Sequence, residues 1–510
     1  MGKVGKYIFF ALIALNLILA SWYVLHGDLY THSDISRDLL LLGEISEKKI
    51  VLIGQRAGID QLFHGPLWLY LNHPAYLLGG GNPVAVGWFW IVLSMFFLVG
   101  SFFVARDLLG KTAAYYFVLL LSTFLISHAK DMSHPMGALF TSPFFFFAFY
   151  KYVKTLKARY LVFSVLLAGV MLQFEMAGGI PFLLLLVLFS VYLIVKKRNF
   201  AHFLAFLTLF LPISTFILFD IRHGFVQLQG WVNFLSEESA AVNYLKIIGD
   251  RLNFITTAGT PFLFVFRHEW VLMDIANRLI SVTFFGLILL MMRRGVQRGF
   301  FALFLYFYFG YFFIASLKHG ALLIHQAFSL VPLVFLAFVA LLGTKYKQFI
   351  TILLIGIIAA NEIAAIEYVD ASIDFRGKSE DSWSFLHRLE KDIFEGSDAE
   401  FGYFTYSPDA FSYQSKAAMV YGALEHPDKR AFYFEKMPVT YLVLAPAALS
   451  DPYAKYFKAD WWTKNTLRID KQPQSAIDYP NGYRVERYEL TPEEMTVPWD
   501  KSGDTGIHFR

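Results

Sequence analysis

The chain has 510 residues, of which 56% are hydrophobic and 16% charged, with a formal net charge of +4. Ordinary soluble proteins are about 45–50% apolar and about 25% charged, so a wholly soluble chain is excluded, and the small net charge leaves no footprint for nucleic acid. There is no cysteine, which excludes disulfides, thiolate catalysis and Cys-ligated zinc.

The first element is an apolar segment over residues 7–25, preceded by Lys3 and Lys6 and without a small-residue cleavage site. It reads as an uncleaved anchor. A span needs roughly 20 mostly apolar residues. Ten further segments meet or approach that length, at 84–105, 112–127, 135–150, 160–175, 178–195, 201–219, 273–292, 299–316, 320–343 and 348–366. The last is interrupted by Asn361 and Glu362 and is the weakest. With the N-terminus cytoplasmic, alternate loops carry Arg106 and Lys111, then Lys151, Lys154, Lys157 and Arg159, then Lys196 to Arg198, then Arg293, Arg294 and Arg298, then Lys345 and Lys347. The short loops of opposite parity hold only Lys130 and Lys318. That is the distribution expected of cytoplasmic and outside loops. Two outside loops are long, 26–83 and 220–272.

After residue 370 the hydropathy falls. "EFGYFTYS", "VTYLVLAPAAL" and "NGYRVERYEL" read as strands, "SKAAMVYGALEHP" as a helix and "PNGYRV" as a turn into a strand. The expectation is a polytopic α-helical membrane protein of about eleven spans, residues 1–369, with a soluble extracytoplasmic α/β or α+β domain over 370–510. Multi-pass residence in the plasma membrane follows, with the lipid bilayer as a partner.

Candidate site residues lie on the outside. In "HSDISRDLLLLGEI", residues 32–45, a helix beginning near Ser33 puts Asp34 and Asp38 on one face, with Arg37 on the same side. Ser33 or Asp34 would cap it. Leu39, Leu40 and Leu42 would seat it along the membrane surface, apolar side down. The bland alternative is a capped, solvated salt-bridge cluster. Further on, His64-Gly65-Pro66 breaks the chain before an aromatic-rich helix at 67–78, where Trp68 and Tyr70 suit the headgroup level. Glu175 sits at a tight outer hairpin, as a sugar or cation ligand or as an exposed turn acid. Arg222 and His223 follow the seventh span, Lys318 and His319 lie between the ninth and tenth, and His325 enters the tenth. Ionisable groups at a membrane edge are functional candidates. Ten of the 14 histidines fall in outside loops or at outer span ends: His26, His32, His64, His73, His128, His134, His223, His268, His319 and His325. Their spacings include no i, i+4 pair of the helical zinc type, so no metal ligands are assigned, although a divalent metal is allowed.

An acidic residue just past the first span, a short helix and a closing "GPLWLYL" run resemble the GT-C membrane glycosyltransferases. Among these the chain is most similar to the family of protein mannosyltransferases and the aminoarabinose transferase of lipid A. "FVARDLLGKTAAYYFVLLLSTF", "SHPMGALFTSP", "FDIRHGF" and "LIHQAFSLVPLVFL" resemble later landmarks of that family, in the same order. The resemblance implies transfer of a sugar, with inversion, from a polyprenyl-phosphate donor to a protein, lipid or glycan acceptor outside the membrane. It maps the family's first-loop catalytic aspartate onto Asp34, with Asp38 one turn away as the alternative. A carboxylate would accept the proton of a weak nucleophile. Cations, drawn from Arg37, Arg222, His223, Lys318, His319 and His325, would bind the leaving phosphate, with His64 and Glu175 contacting substrate. No phosphate-cradling glycine loop is present, so no nucleotide is needed. The alternative function is a transporter or flippase of lipid-linked saccharides, which would place its polar site near mid-membrane.

Overall fold

The protein, seen in a computed structural model, is described over residues 3–130, 133–236, 244–263, 271–317, 322–409, 411–447, 456–501 and 506–507. The chain forms two compact units. One holds Met1–Ser21, Val51–Leu71 and Trp90–Val369, and the other Trp22–Ile50, Asn72–Phe89 and Asp370–Arg510.

In chain order the helices are α1 (Lys3–Ala20), α2 (Trp22–Leu25), α3 (Ser33–Lys48), α4 (Leu67–Leu78), α5 (Pro83–Leu109), α6 (Lys111–His128), α7 (Pro135–Thr155), α8 (Ala158–Phe174) and α9 (Met176–Lys197). A 3₁₀ segment, Phe200–Leu209, runs into α10 (Phe210–Arg222), followed by α11 (Val226–Ser236), α12 (Tyr244–Thr256), α13 (Val271–Arg293) and α14 (Arg298–Ala315). A second 3₁₀ segment, Ile324–Leu330, leads to α15 (Val331–Ala340), and α16 (Lys347–Phe375) closes the membrane part. Each of the eleven apolar segments is helical over most of its described residues, although the first breaks after Ala20. Among the described residues, seven helices are long and apolar enough to cross a membrane: Pro83–Leu109, Met176–Lys197, Phe200–Arg222, Leu272–Arg293, Arg298–Ala315, Ile324–Gly343 and Lys347–Phe375. Gly5–Ala20 and Ala158–Phe174 are shorter apolar helices. Phe96, Leu188, Leu211 and Ile352 are exposed on these helices, as expected where the neighbour is lipid rather than water.

Asn361 does not interrupt the last helix. It is fully buried and donates to the Phe262 carbonyl at 2.8 Å, so its amide is satisfied inside the bundle.

The tail carries α17 (Trp383–Gly396), β1 (Glu400–Tyr406), α18 (Tyr413–Glu425), β2 (Arg430–Tyr433), β3 (Val439–Leu444), α19 (Phe457–Asn465), β4 (Ser475–Asp478), β5 (Arg484–Glu489) and α20 (Pro492–Thr496). The strands order as β2-β1-β3-β5-β4. β1 pairs in parallel with β2 and β3, while β5 runs antiparallel to β3 and β4. "PNGYRV" turns the chain from β4 into β5, with Gly482 at φ +92° and Gly482 N–H bonded to the Tyr479 carbonyl. Side chains alternate across the sheet. Phe401 and Tyr441 meet Phe394 and the end of α17 on one face. Phe404, Leu442, Leu444 and Tyr488 build the core on the other, with Trp462 and Trp499 against it. The short strands β2 and β4 carry no run of alternating apolar residues and are absent from the sequence reading.

Within this unit Glu390 of α17 is fully buried beside Glu425 and His387. Gly422 has no side chain because the Glu390 carboxyl and the Phe394 ring fill that space. Burial, then the Glu425 carboxylate, push Glu390 up to about 9. The folded protein therefore holds a proton that the unfolded chain releases above the ordinary carboxylate range, and stability falls as pH rises through that window toward 9. Glu390→Gln is expected to raise the melting temperature at pH 8 and leave it nearly unchanged at pH 5, read by thermal denaturation of the purified protein at both values.

Candidate functional site

The opening stretch becomes α3, and its cap is His32 rather than Ser33 or Asp34. Helical dihedrals begin at Ser33, so the preceding extended residue presents its ring Nδ1 to Asp34 N–H at 3.3 Å. Arg37 Nη1 donates to Asp34 Oδ1 at 2.8 Å, while Nε and Nη2 donate to Asp38 Oδ1 at 3.1 and 2.9 Å. The three residues do share a face, but they are not equivalent. The Asp34 side chain is 65% exposed, Arg37 15% and Asp38 1%. Asp38 is spent on holding the guanidinium, and Asp34 is the carboxylate an external group can reach. The Tyr413 ring at the start of α18 lies near Arg37.

The leucines do not seat α3 on a membrane surface. Leu39, Leu40, Leu41 and Leu42 are each no more than 5% exposed. Four consecutive helical residues point around about 300° of the axis, so protein encloses this helix on nearly every side, α18 among its neighbours. The segment before α3 is tied to the start of α17. Asp28 Oδ1 accepts from Leu29 N–H and Ser384 N–H, and its Oδ2 accepts from Ser382 Oγ–H. Leu29 carbonyl accepts from Trp383 N–H, and Asp381 carbonyl accepts from Thr31 N–H.

In the helical unit, three chain breaks converge. His64 closes a small antiparallel turn: Gly54 N–H bonds to its carbonyl at 2.7 Å, and its own N–H to the Gln55 carbonyl at 2.8 Å. The next residue, Gly65, donates to the Gln173 carbonyl at 2.9 Å, and any Cβ there would run into the Gln173 amide. His134 occupies the N-terminal boundary of α7, just before Pro135. Glu175 is the joint between α8 and α9 and caps α9, its Oε1 accepting from Ala177 N–H at 3.0 Å. Its Oε2 lies 3.4 Å from His134 Nε2, and the two imidazoles face each other with centroids 4.4 Å apart. Glu175 is buried, not an exposed turn acid, and His64 is buried rather than a free loop end. Burial would raise the Glu175 carboxyl, but His64, His134 and the Ala177 N–H together hold it below the usual range. Trp68 is likewise buried at 1% exposure, and the Tyr70 hydroxyl is bonded to Val51 N–H and carbonyl. The Trp68 ring packs inside the protein, while Tyr70, 38% exposed, ties the first loop through its hydroxyl.

The remaining candidates are dispersed. Arg222 is exposed on the last turn of α10, and its neighbour Asp220 is occupied by Gln227 N–H and Leu228 N–H. His223 stacks on Phe219 of its own helix at 4.2 Å. His325 is exposed on the second 3₁₀ segment. Lys318 and His319 lie outside the described residues. Two residues to which the sequence reading gave no site role lie among these groups. His134 is one, because its partners are 70 and 41 positions away in sequence. Arg251 is the other. It is half-buried on α12 and bonds to Ser316 Oγ and the Ala315 carbonyl. The rule that singles out Arg222, an arginine in an outside loop, applies equally to Arg251.

The observed fold agrees with the one that the sequence resemblance implies. Two solved structures share it: ArnT from Cupriavidus metallidurans bound to undecaprenyl phosphate, at a TM-score of 0.59, and the same protein in the apo state, at 0.61. Each match covers 95% of this chain and 98% of the other at 11% identity, which makes it a likeness of fold. No family model and no curated protein matches the sequence.

Proposed function

We propose that the protein is a membrane glycosyltransferase that moves a sugar from a polyprenyl-phosphate donor to an acceptor at the outer face of the plasma membrane, with inversion at the anomeric carbon. The observation that carries this reading is the Asp34–Arg37–Asp38 array at the start of α3, in a chain whose fold matches, nearly end to end, that of a protein crystallised with undecaprenyl phosphate. Asp34 accepts the proton of the attacking hydroxyl or amine. Asp38 holds Arg37 in place, and Arg37 supplies positive charge beside the reacting centre. The positive-inside pattern supports an extracytoplasmic tail. The test is to supply purified protein with polyprenyl-phosphate sugars and with protein, lipid and glycan acceptors, scoring free polyprenyl phosphate together with glycosylated acceptor. Release of neither product across the donor series would overturn the reading.

Arg222 is assigned to the donor phosphate, since an exposed guanidinium at an outer helix end can hold phosphate oxygens bidentately. Arg222→Ala is expected to weaken polyprenyl-phosphate binding by roughly 10- to 150-fold, the equivalent of about 1.5–3 kcal/mol for a charge-assisted contact. Arg222→Lys should recover only part of it. Unchanged affinity in a direct binding measurement would remove Arg222 from the donor site.

One observation favours transport instead. Asn16 of α1 is fully buried, donates to Ser122 Oγ of α6 at 3.0 Å, and adjoins Glu362 of α16, forming a polar group among apolar helices. Translocation of lipid-linked sugar in proteoliposomes without acceptor, abolished by Glu362→Gln, would establish that reading over the first.

A further inference from the structure

We infer that His64, His134 and Glu175 bind one divalent transition-metal ion of the zinc class. This goes beyond the proposed transfer reaction and does not depend on it. One ligand atom from each side chain lies within 4.8 Å of the other two. The His134 Nε2 to Glu175 Oε2 distance of 3.4 Å matches a tetrahedral edge: with bonds of about 2.0–2.1 Å, two ligands of a four-coordinate zinc ion stand about 3.3 Å apart. His64 needs only a small inward movement. Its Nδ1 accepts from Met176 N–H at 3.4 Å, a contact at the long limit of a hydrogen bond.

The donor set selects the metal. Two imidazoles and one carboxylate suit zinc and its neighbours, whereas calcium and magnesium prefer oxygen ligands throughout. Two of the three ligands, His64 and Glu175, are held by other contacts before any ion arrives. The His64 turn is fixed by the Gly54 and Gln55 backbone and seated on Gln173 through Gly65, and Glu175 Oε1 is engaged by Ala177 N–H, leaving Oε2 for the ion. Such supporting bonds orient ligands and reduce the cost of assembling the site. The ion would pin the first outside loop, the start of α7 and the α8–α9 hairpin together. Three protein ligands leave a fourth position for water or another oxygen ligand.

Co²⁺ is the probe. The full chain, purified in detergent and stripped with a chelator, is expected to take up one equivalent of Co²⁺ and to develop its visible d–d absorption. His134→Ala should lose both. Because that variant could lose them by misfolding, His134→Cys supplies the decisive readout. The chain has no cysteine of its own, so a thiolate-to-Co²⁺ charge-transfer band in His134→Cys places the ion at this residue. Failure of the native chain to take up stoichiometric Co²⁺, or Co²⁺ bound by His134→Cys without that band, overturns the inference. Turnover is scored separately. Metal uptake without sugar transfer in any assay would sink the proposed reaction and leave the site, and transfer without metal uptake would do the reverse.

Discussion

Asp34→Asn should fold normally and lose about 10²–10⁴-fold in turnover, the usual cost of removing a general base, while Asp38→Asn loses less turnover but more stability. The difference follows from exposure. Asp34 is 65% exposed and gives Arg37 a single contact, so the amide replacement removes the proton acceptor and little else. Asp38 is 1% exposed and accepts two bonds from the guanidinium. Its replacement by Asn leaves Arg37 largely buried beside a neutral group, and breaking one side of such a pair is costly because the other charge remains desolvated. Turnover in Asp38→Asn should therefore fall through a displaced Arg37. Both variants are compared in the same membranes with donor lipid and acceptor supplied, alongside melting temperatures of the purified proteins. An active Asp34→Asn beside an inactive but fully stable Asp38→Asn would move the base to Asp38. Full activity in both would remove this array from the reaction.

The helical part was legible because its signal is local. A run of about 20 apolar residues has few options in a bilayer, and every such run is helical over most of its described residues. The Asp34–Arg37–Asp38 face was legible for the same reason, since i, i+3 and i, i+4 spacings fix it within one helix. What could not be read is what covers each face. Leu39 to Leu42 carry the same pattern whether they meet lipid or protein, and only the fold shows α18 against them. The His64–His134–Glu175 cluster was opaque for a different reason. Its residues come from three segments, and no periodicity links positions that meet only through tertiary packing. In the tail, β1, β3 and β5 carry apolar or aromatic alternation, while β2 and β4 are four-residue edge strands whose place is set by their partners.

The largest stability effect is expected at Asp28, which lies only six residues before Asp34. The first N–H groups of a helix have no partner within it, and the cap residue of α17, Ser382, makes no side-chain capping bond. Residues 28 and 29 perform that task from a distant part of the chain: Asp28 Oδ1 accepts from Ser384 N–H at 2.9 Å, and the Leu29 carbonyl from Trp383 N–H at 3.0 Å. The Asp28 carboxylate is fully buried at the positive end of α17, where its charge is favoured. Asp28→Ala leaves the buried N–H of Leu29 and the partly buried N–H of Ser384 without their acceptor. A lost cap together with lost charge-assisted bonds should cost about 3 kcal/mol, or about 6–12 °C in melting temperature for a unit of this size. Asp28→Asn should behave differently. Its amide oxygen can accept from both N–H groups, and its NH₂ can donate to Ser382 Oγ, which now donates to the carboxylate. Only the interaction of the charge with the helix is lost, at about 0.3–1 kcal/mol. Thermal unfolding of the two purified variants separates the cases. Equal and small shifts would mean that α17 is not capped from residue 28, and equal and large shifts would mean that the charge, rather than the hydrogen bonds, holds the segment leading into α3.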